Sequence, residues 1–214
     1  MTRRSELWVV KIGGSVAGGD ALVSWIRLFA RFSRRRRPRI VVVPGGGAFA
    51  DQVRIAQRAR RFDDGVAHRM ALLAMDQMGL MFAGLSPALR PAASRRAIAA
   101  AHRRGHVPVW LPTRMAAGRR DIPESWDVTS DSLAAWLAGT LAADRLVLVK
   151  SVDPPAGPVA ASALCKRGLV DKAFARFIAG RSFECWCVCS SRRGDMARAL
   201  NTGSGPGTRI VSRA

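Results

Sequence analysis

Two glycine-rich turns, each directly after a run of β-branched residues, constrain this chain more than any other feature of its sequence. They are residues 9–15, VVKIGGS, and residues 41–47, VVVPGGG. Short valine and isoleucine runs that end in glycine are typical of buried strands in a parallel sheet. Glycines at the carboxyl ends of such strands let backbone N–H groups approach an anion closely. Two such turns predict either two separate phosphate-bearing ligands or the donor and the acceptor of one group transfer.

Strand and helix signals alternate along the chain with short connections between them. This alternation predicts the α/β class, a three-layer α/β/α sandwich with a mainly parallel open sheet. Residues 65–85 are the longest predicted helix, and Pro91 is expected to open the next one at a first-turn position. Because no interdomain linker interrupts the 214 residues, we expect residues 1–214 to form a single domain. One earlier helix is predicted from an apolar face formed by Leu22, Trp25, Ile26 and Phe29.

The net charge of +20 comes almost entirely from arginine. The densest basic run, Arg34–Arg37, is compatible with nucleic-acid binding or with a solvated connection between a helix and a strand. No aromatic residues interleave with these arginines, as single-strand binding would require, so we favour the connection and expect no nucleic-acid partner. No apolar stretch approaches the roughly 20 residues of a membrane helix, and we expect a cytoplasmic protein without a signal peptide.

Three cysteines alternate near the end of the chain, at Cys185, Cys187 and Cys189. In a strand this spacing places the three thiols on one face, where they are poorly arranged to chelate a single ion. No Cys-x-x-Cys spacing and no nearby histidine supports a zinc site. We interpret them as buried thiols and expect no metal to be held by protein side chains.

Two carboxylates flank the start of a predicted helix. Asp127 precedes the helix, Thr129 or Ser130 can cap it, and Asp131 lies one turn inside. Both carboxylates are expected at the carboxyl edge of the sheet, although a solvated aspartate that stabilises the helix dipole is the alternative. The two glycine turns and the strand that ends in Lys150 are predicted to lie at the same edge, so we favour a functional role for Asp127 and Asp131 over the solvated alternative.

His68 and Asp76 are eight residues apart on the long predicted helix, about two turns, and can share a face. One interpretation is a hydrogen-bonded core histidine. The other is that both residues line an acceptor pocket, in which Met75 and Met78 pack against a flat ring. Methionines at such spacing are more often ordinary core residues.

Four motifs in order, VVKIGGS, VVVPGGGAFADQVR, DVTSDSLAAWLA and LVLVKSVD, resemble the amino acid kinase family over nearly the whole chain. Within that family, AHRMALLAMDQMG is similar to the small kinases of methanofuran biosynthesis, which phosphorylate an aminomethyl-furan methyl phosphate to its diphosphate. The resemblance implies an ATP- and Mg²⁺-dependent phosphotransferase for a small phosphate acceptor, and a homo-oligomer. It places the acceptor roughly over residues 1–125 and ATP over residues 126–214. A uridylate-type nucleoside monophosphate kinase and a non-catalytic nucleotide-binding relative are the alternatives.

The resemblance also implies roles for residues on the ATP side. Lys11 corresponds to the lysine that contacts the transferring phosphate. Asp131 corresponds to the aspartate that orients this catalytic lysine. Lys150 corresponds to a catalytic position on the nucleotide side. Asp153 follows Lys150, but prolines replace the glycine that relatives usually have next, so the nucleotide loop is expected to differ in shape. The turn around the nucleotide phosphates corresponds to Gly13, Gly14 and Ser15.

On the acceptor side, the resemblance implies that the second glycine turn helps to hold the acceptor. This turn consists of Gly45, Gly46 and Gly47. Asp127 corresponds to a polar residue that contacts the acceptor, and a carboxylate there suits an ammonium group. Some relatives use a further lysine late in the chain. Lys166 and Lys172 lie in no recognisable motif, so Lys150 or an arginine is expected to take that role.

Overall fold

The computed structural model describes residues 6–34 and 38–212. The predicted connection Arg34–Arg37 therefore lies mostly outside the described residues. The strands are β1 (Leu7–Ile12), β2 (Arg39–Pro44), β3 (Leu89–Ala92), β4 (Val107–Trp110), β5 (Arg145–Lys150), β6 (Val159–Ala160), β7 (Glu184–Cys189) and β8 (Thr208–Val211). The helices are α1 (Gly14–Ala17), α2 (Ala21–Arg31), α3 (Gly47–Arg60), α4 (Asp64–Gly84), α5 (Arg95–Arg103), α6 (Thr113–Ala116), α7 (Ser130–Thr140), α8 (Ala161–Lys166), α9 (Phe174–Ile178) and α10 (Arg193–Thr202).

The strands form one sheet across the described residues, in the order β3-β4-β2-β1-β5-β7-β8-β6. Every strand pair is parallel except the antiparallel pair of β7 and β8. The prediction of a mainly parallel α/β sheet is confirmed. No helix in this part of the chain is both long and apolar enough to cross a bilayer.

Both faces of the sheet are covered by helices, as the continuous apolar strands require. In β1, Leu7 and Val9 join the core under α7, α8 and α9, whereas Trp8, Val10 and Ile12 join the core under α2 and α10. The predicted apolar face of α2 is confirmed, because all four of its residues are buried.

The strand order changes direction at β1. The chain passes from β1 to β2 on one side and later returns to β5 on the other side of β1. A crevice opens at the carboxyl ends of the strands at such a point, and ligands of open α/β sheets bind there. The site is therefore expected beyond Ile12, where both glycine turns begin.

Pro91 lies inside β3 and does not begin a helix, so that prediction was wrong. The strand β3 is at the edge of the sheet, where a residue without an N–H group is tolerated. The next helix, α5, begins instead after Ser94, whose Oγ accepts a hydrogen bond from the N–H of Ala97 at 3.1 Å.

Candidate active site

The two glycine turns contact each other directly through their backbones. A Cβ atom on Gly14 would lie 2.7 Å from the backbone nitrogen of Gly47, and one on Gly45 would lie 2.6 Å from the nitrogen of Gly14. Gly47 also has a φ of +50°, which glycine adopts more readily than other residues. Any side chain at these positions would separate the turns, so glycine is required for their approach.

A buried carboxylate joins two lysines beside these turns. The Nζ atom of Lys11 is 2.8 Å from Oδ1 of Asp131, and Nζ of Lys150 is 2.7 Å from Oδ2 of the same side chain. Lys11 and Asp131 are only 3% and 4% exposed. The structure therefore brings together the three residues that the sequence analysis singled out as catalytic.

The alternation of strand side chains explains this convergence. Leu7 and Val9 face the layer that contains α7, and so does Lys11 two residues later. On β5, Leu146 and Leu148 face the same layer, and Lys150 follows with the same period. Both ammonium groups consequently emerge on the face of the sheet from which α7 presents its aspartate.

The charges of the cluster are strongly coupled. Burial alone would raise the pKa of Asp131, but the ammonium groups of Lys11 and Lys150 outweigh it and hold that pKa well below its usual range. Burial lowers the pKa of Lys11; the attraction of Asp131 opposes this effect, and the positive charge of Lys150 adds to it. Two cations thus share one anion, which leaves net positive charge in a buried place suited to a phosphate.

Asp171, which the sequence analysis did not single out, fixes the start of α7. Its Oδ2 accepts hydrogen bonds from Oγ1 and the backbone N–H of Thr129, each at 2.9 Å, and from the N–H of Ser132 at 3.0 Å. The hydroxyl of Ser132 donates to Oδ1. Thr129 stands at the N-terminal cap of α7 as predicted, but its side chain accepts no hydrogen bond from the helix. The carboxylate of Asp171 accepts that bond instead and positions the turn that carries Asp131. No local motif marks it, because it lies in a distant segment.

Asp171→Ala is expected to lower the free energy of unfolding by more than Asp63→Ala does. Asp63 caps α4 through a single bond, from the N–H of Val66, and such caps contribute about 1 kcal/mol. Asp171 satisfies four donors, so its loss leaves several partly buried groups without partners. Urea unfolding of both variants measures the difference. Equal losses would contradict the role of Asp171 in holding α7.

The predicted nucleotide side has its own cavity beyond β5 and β7. Asp153 lines it and pairs with Arg192, whose Nε is 2.9 Å from Oδ1. Near the first glycine turn, the hydroxyl of Ser15 donates to the hydroxyl of Ser151 at 3.0 Å, directly after Lys150. Cys189 and Thr208 also line the cavity. That Asp153 lies beside the nucleotide stays a prediction.

A second cavity lies on the other side of the lysine cluster, between α3, α4 and the start of α7. The guanidinium of Arg54 stacks 3.7 Å from the centre of the Trp126 ring, and Nε1 of Trp126 donates to Gln57 at 2.6 Å. His68 is buried in its wall. The cavity is lined by Gly46, Ala50, Asp51, Arg54, His68, Ala71, Leu72, Met75, Trp126, Val128, Thr129, Ser130 and Leu133.

Of the six residues predicted to contact the acceptor, Gly46 and His68 line this cavity, whereas Gly45, Gly47, Asp76 and Asp127 do not. The carboxylate of Asp76 accepts a hydrogen bond from the N–H of Thr113 at 3.2 Å, at the start of α6. Asp127 is exposed, and its Oδ1 lies 3.1 Å from Nζ of Lys172. Asp51, which was not singled out, lines the cavity instead. It lies one turn after the second glycine turn, which is the sequence signal that locates it.

Comparison with known proteins agrees with this geometry. Residues 6–154, more than half of the chain, match the amino acid kinase family. The chain belongs to the amino acid kinase family. The match includes both glycine turns, Asp131 and Lys150.

Among curated proteins, the chain is similar to the [5-(aminomethyl)furan-3-yl]methyl phosphate kinase of Methanocaldococcus jannaschii, with 24% identity over 145 residues. That alignment covers 68% of this chain and 66% of the relative, slightly less than two thirds of its length. The prediction of a phosphotransferase agrees with the family and with this named kinase.

Among solved structures, the fold matches the uridylate kinase of Archaeoglobus fulgidus with a TM-score of 0.72 and 15% identity, covering 96% of this chain and 100% of that one. The UMP kinase of Ureaplasma parvum matches with a TM-score of 0.70 and 14% identity, covering 97% and 99%. These likenesses establish the fold.

Proposed function

We propose that this protein transfers the γ-phosphoryl group of ATP to a small phosphate monoester, an aminomethyl-furan methyl phosphate, and forms the diphosphate. The observation that carries the proposal is the placement of Asp131 between Lys11 and Lys150, beside two glycine turns in backbone contact. Two ammonium groups held by one carboxylate form a preorganised positive site for a phosphoryl group in transfer.

Each residue of the cluster has a distinct task in this proposal. Bound ATP supplies the phosphoryl group, and Lys11 stabilises the negative charge on its oxygens. Asp131 orients both lysines, so that no reorganisation of charge is needed when transfer begins. Lys150 ends β5 directly before Ser151, which accepts a hydrogen bond from Ser15 of the first glycine turn. Asp153, three residues after Lys150, lines the nucleotide cavity. The backbone N–H groups of the glycine turns hold the phosphates of donor and acceptor close together.

The residues fit a magnesium ion that is bound mainly through phosphate oxygens. Magnesium commonly keeps several waters and binds few protein carboxylates in such sites. Within residues 6–34 and 38–212 no group of three or more His, Cys, Asp or Glu side chains is placed to hold a metal. Asp131 is already engaged with two lysines, so the nucleotide phosphates would hold the ion.

The two cavities support a division of the chain into two sides. Residues up to about 125 contribute α3 and α4 to the acceptor side, which residues 126–133 complete. The residues that follow Lys150 contribute the nucleotide cavity. A planar wall at Trp126 with Met75 nearby suits a flat aromatic ring. The named furan phosphate kinase supports the same class of acceptor.

An acceptor panel tests this proposal by ADP release. Purified protein with ATP and Mg²⁺ is given aminomethyl-furan methyl phosphate, UMP, other nucleoside monophosphates or acyl amino acids. We expect the furan phosphate to be converted with the highest kcat/KM, and mass spectrometry to detect its diphosphate.

Preference for UMP would replace the proposal with a uridylate-type kinase. ADP release on no acceptor, with ATP still bound, would favour a non-catalytic relative. Protein that carries Lys11→Ala, prepared in parallel, controls for contaminating ATPases.

A further inference from the structure

We propose that Asp51 and His68 form a recognition site for the ammonium group of the acceptor, in the cavity between α3 and α4. This inference rests on the proposed function, because it specifies which part of the acceptor this cavity binds. In this proposal the site selects an acceptor that carries a cationic amine on a flat ring. The phosphate end of that acceptor would lie toward Gly46 and the lysine cluster.

His68 presents an unsatisfied hydrogen-bond acceptor. Its side chain lines the cavity and is 4% exposed, and Nε2 has no hydrogen-bond partner among the described residues. The ring donates to the carbonyl of Ser125, which leaves Nε2 with a free lone pair when the imidazole is neutral. Burial lowers the pKa of His68 and so favours that neutral form. A ligand group that donates a hydrogen bond would satisfy Nε2.

Asp51, an exposed residue of α3, also lines the cavity and supplies negative charge there. No ion pair or side-chain hydrogen bond occupies its carboxylate within the described part of the chain. Arg54 lies three residues further along α3, but its guanidinium stacks on Trp126 and does not pair with Asp51. A carboxylate and a lone-pair nitrogen both accept hydrogen bonds, and an ammonium group, with three donors and a positive charge, can donate to both.

The wall of the cavity is built to hold a ring in a fixed place. The Trp126 ring is anchored through Gln57, which itself donates to Oδ1 of Asp64 at 2.8 Å, and is covered by Arg54. A uracil ring carries no positive charge, so it cannot form the charge-assisted hydrogen bond that an ammonium group forms with the Asp51 carboxylate. The cavity therefore favours an aminomethyl ring over a uracil.

Isothermal titration tests the proposal with two matched probes, aminomethyl-furan methyl phosphate and its hydroxymethyl counterpart. The parent protein is expected to bind the amine at least about tenfold more tightly, since a bond between charged groups contributes more than a neutral one. Asp51→Asn should remove most of that preference, with little change for the hydroxymethyl compound. His68→Phe, which keeps a flat ring but removes Nε2, should lose part of it.

Two further variants make the result decisive. Asp195→Asn removes a partly exposed carboxylate from α10, far along the chain from the cavity, and should retain the parent's preference. Asp127→Asn tests the rival carboxylate beside Trp126. If the preference for the amine probe disappears in Asp127→Asn and survives in Asp51→Asn, the assignment of ammonium binding to Asp51 is wrong.

Other outcomes separate this inference from the proposed function. Equal weakening of both probes by Asp51→Asn would overturn the inference, because it would indicate a general loss of the site. Tight binding of UMP with no binding of the amine would overturn the inference and the proposed acceptor together. The expected binding pattern without any ADP release would support the amine site and contradict the kinase activity.

Discussion

Lys11→Ala is expected to lower kcat by about a hundredfold or more while the protein remains folded. The ammonium group of Lys11 is held 2.8 Å from Asp131, at the end of β1 where the first glycine turn begins. Removal of one preorganised group that stabilises transition-state charge typically costs about 3 kcal/mol of activation free energy. The loss should appear in kcat, because the charge on the transferring group is greatest in the transition state.

The measurement is steady-state ADP release, with circular dichroism to confirm the fold. Lys166→Ala is the matched control, since Lys166 is an exposed lysine at the end of α8. We expect this control to retain the activity of the parent. A Lys11→Ala protein that keeps most of its turnover would exclude the proposed role of Lys11.

The pH dependence of the parent provides a second test of Lys11. Burial lowers the pKa of Lys11, so its ammonium loses the proton at a lower pH than an exposed lysine does. The kcat/KM for ATP, which reports on the free enzyme, should therefore fall on the alkaline side below the ordinary lysine range. If the same alkaline fall in kcat/KM persists in Lys11→Ala, the titrating group is not Lys11.

The sequence predicted the parts of this site that depend on short-range patterns. Glycines after valine runs identify strands that end at a ligand edge, and the family motifs contain Lys11, Asp131 and Lys150. The period of two along β1 and β5 also determines which face each lysine occupies. Local spacing was sufficient for these features because each strand, its turn and its lysine are contiguous in the chain.

The acceptor side was less accessible to prediction because it is assembled from distant segments. Asp76 was placed near the acceptor by helix spacing, and Asp127 by the family resemblance. The partners that occupy them, the N–H of Thr113 and Lys172, depend on tertiary packing. The role of Asp171 also depends on a contact made across about forty residues of the chain. Pro91 was misassigned because its preference for a first helical turn competes with its tolerance in an edge strand.

Asp131→Ala is expected to lower the free energy of unfolding by about 3–5 kcal/mol, the typical cost of removing one partner from a buried ion pair. The change leaves two cations, Lys11 and Lys150, next to each other in a largely buried place. Asp127→Asn is the matched control, since it removes an exposed carboxylate whose pair with Lys172 is expected to contribute at most about 1 kcal/mol. Chemical denaturation of the three proteins measures the difference, and equal stabilities would contradict the structural role of Asp131.

A double variant and the pH dependence separate the loss of charge pairing from the loss of packing. Lys11→Met combined with Asp131→Ala removes one of the uncompensated cations, so it should recover part of the stability lost in Asp131→Ala while remaining inactive.

Because the pKa of Asp131 is lower in the folded protein, its carboxylate stabilises the fold above the unfolded-state pKa, about 3.9. That contribution is lost as the pH falls from there toward the folded-state pKa. The stability gap between the parent and Asp131→Ala should therefore narrow below about pH 4; a gap that is constant with pH would assign the loss to packing alone.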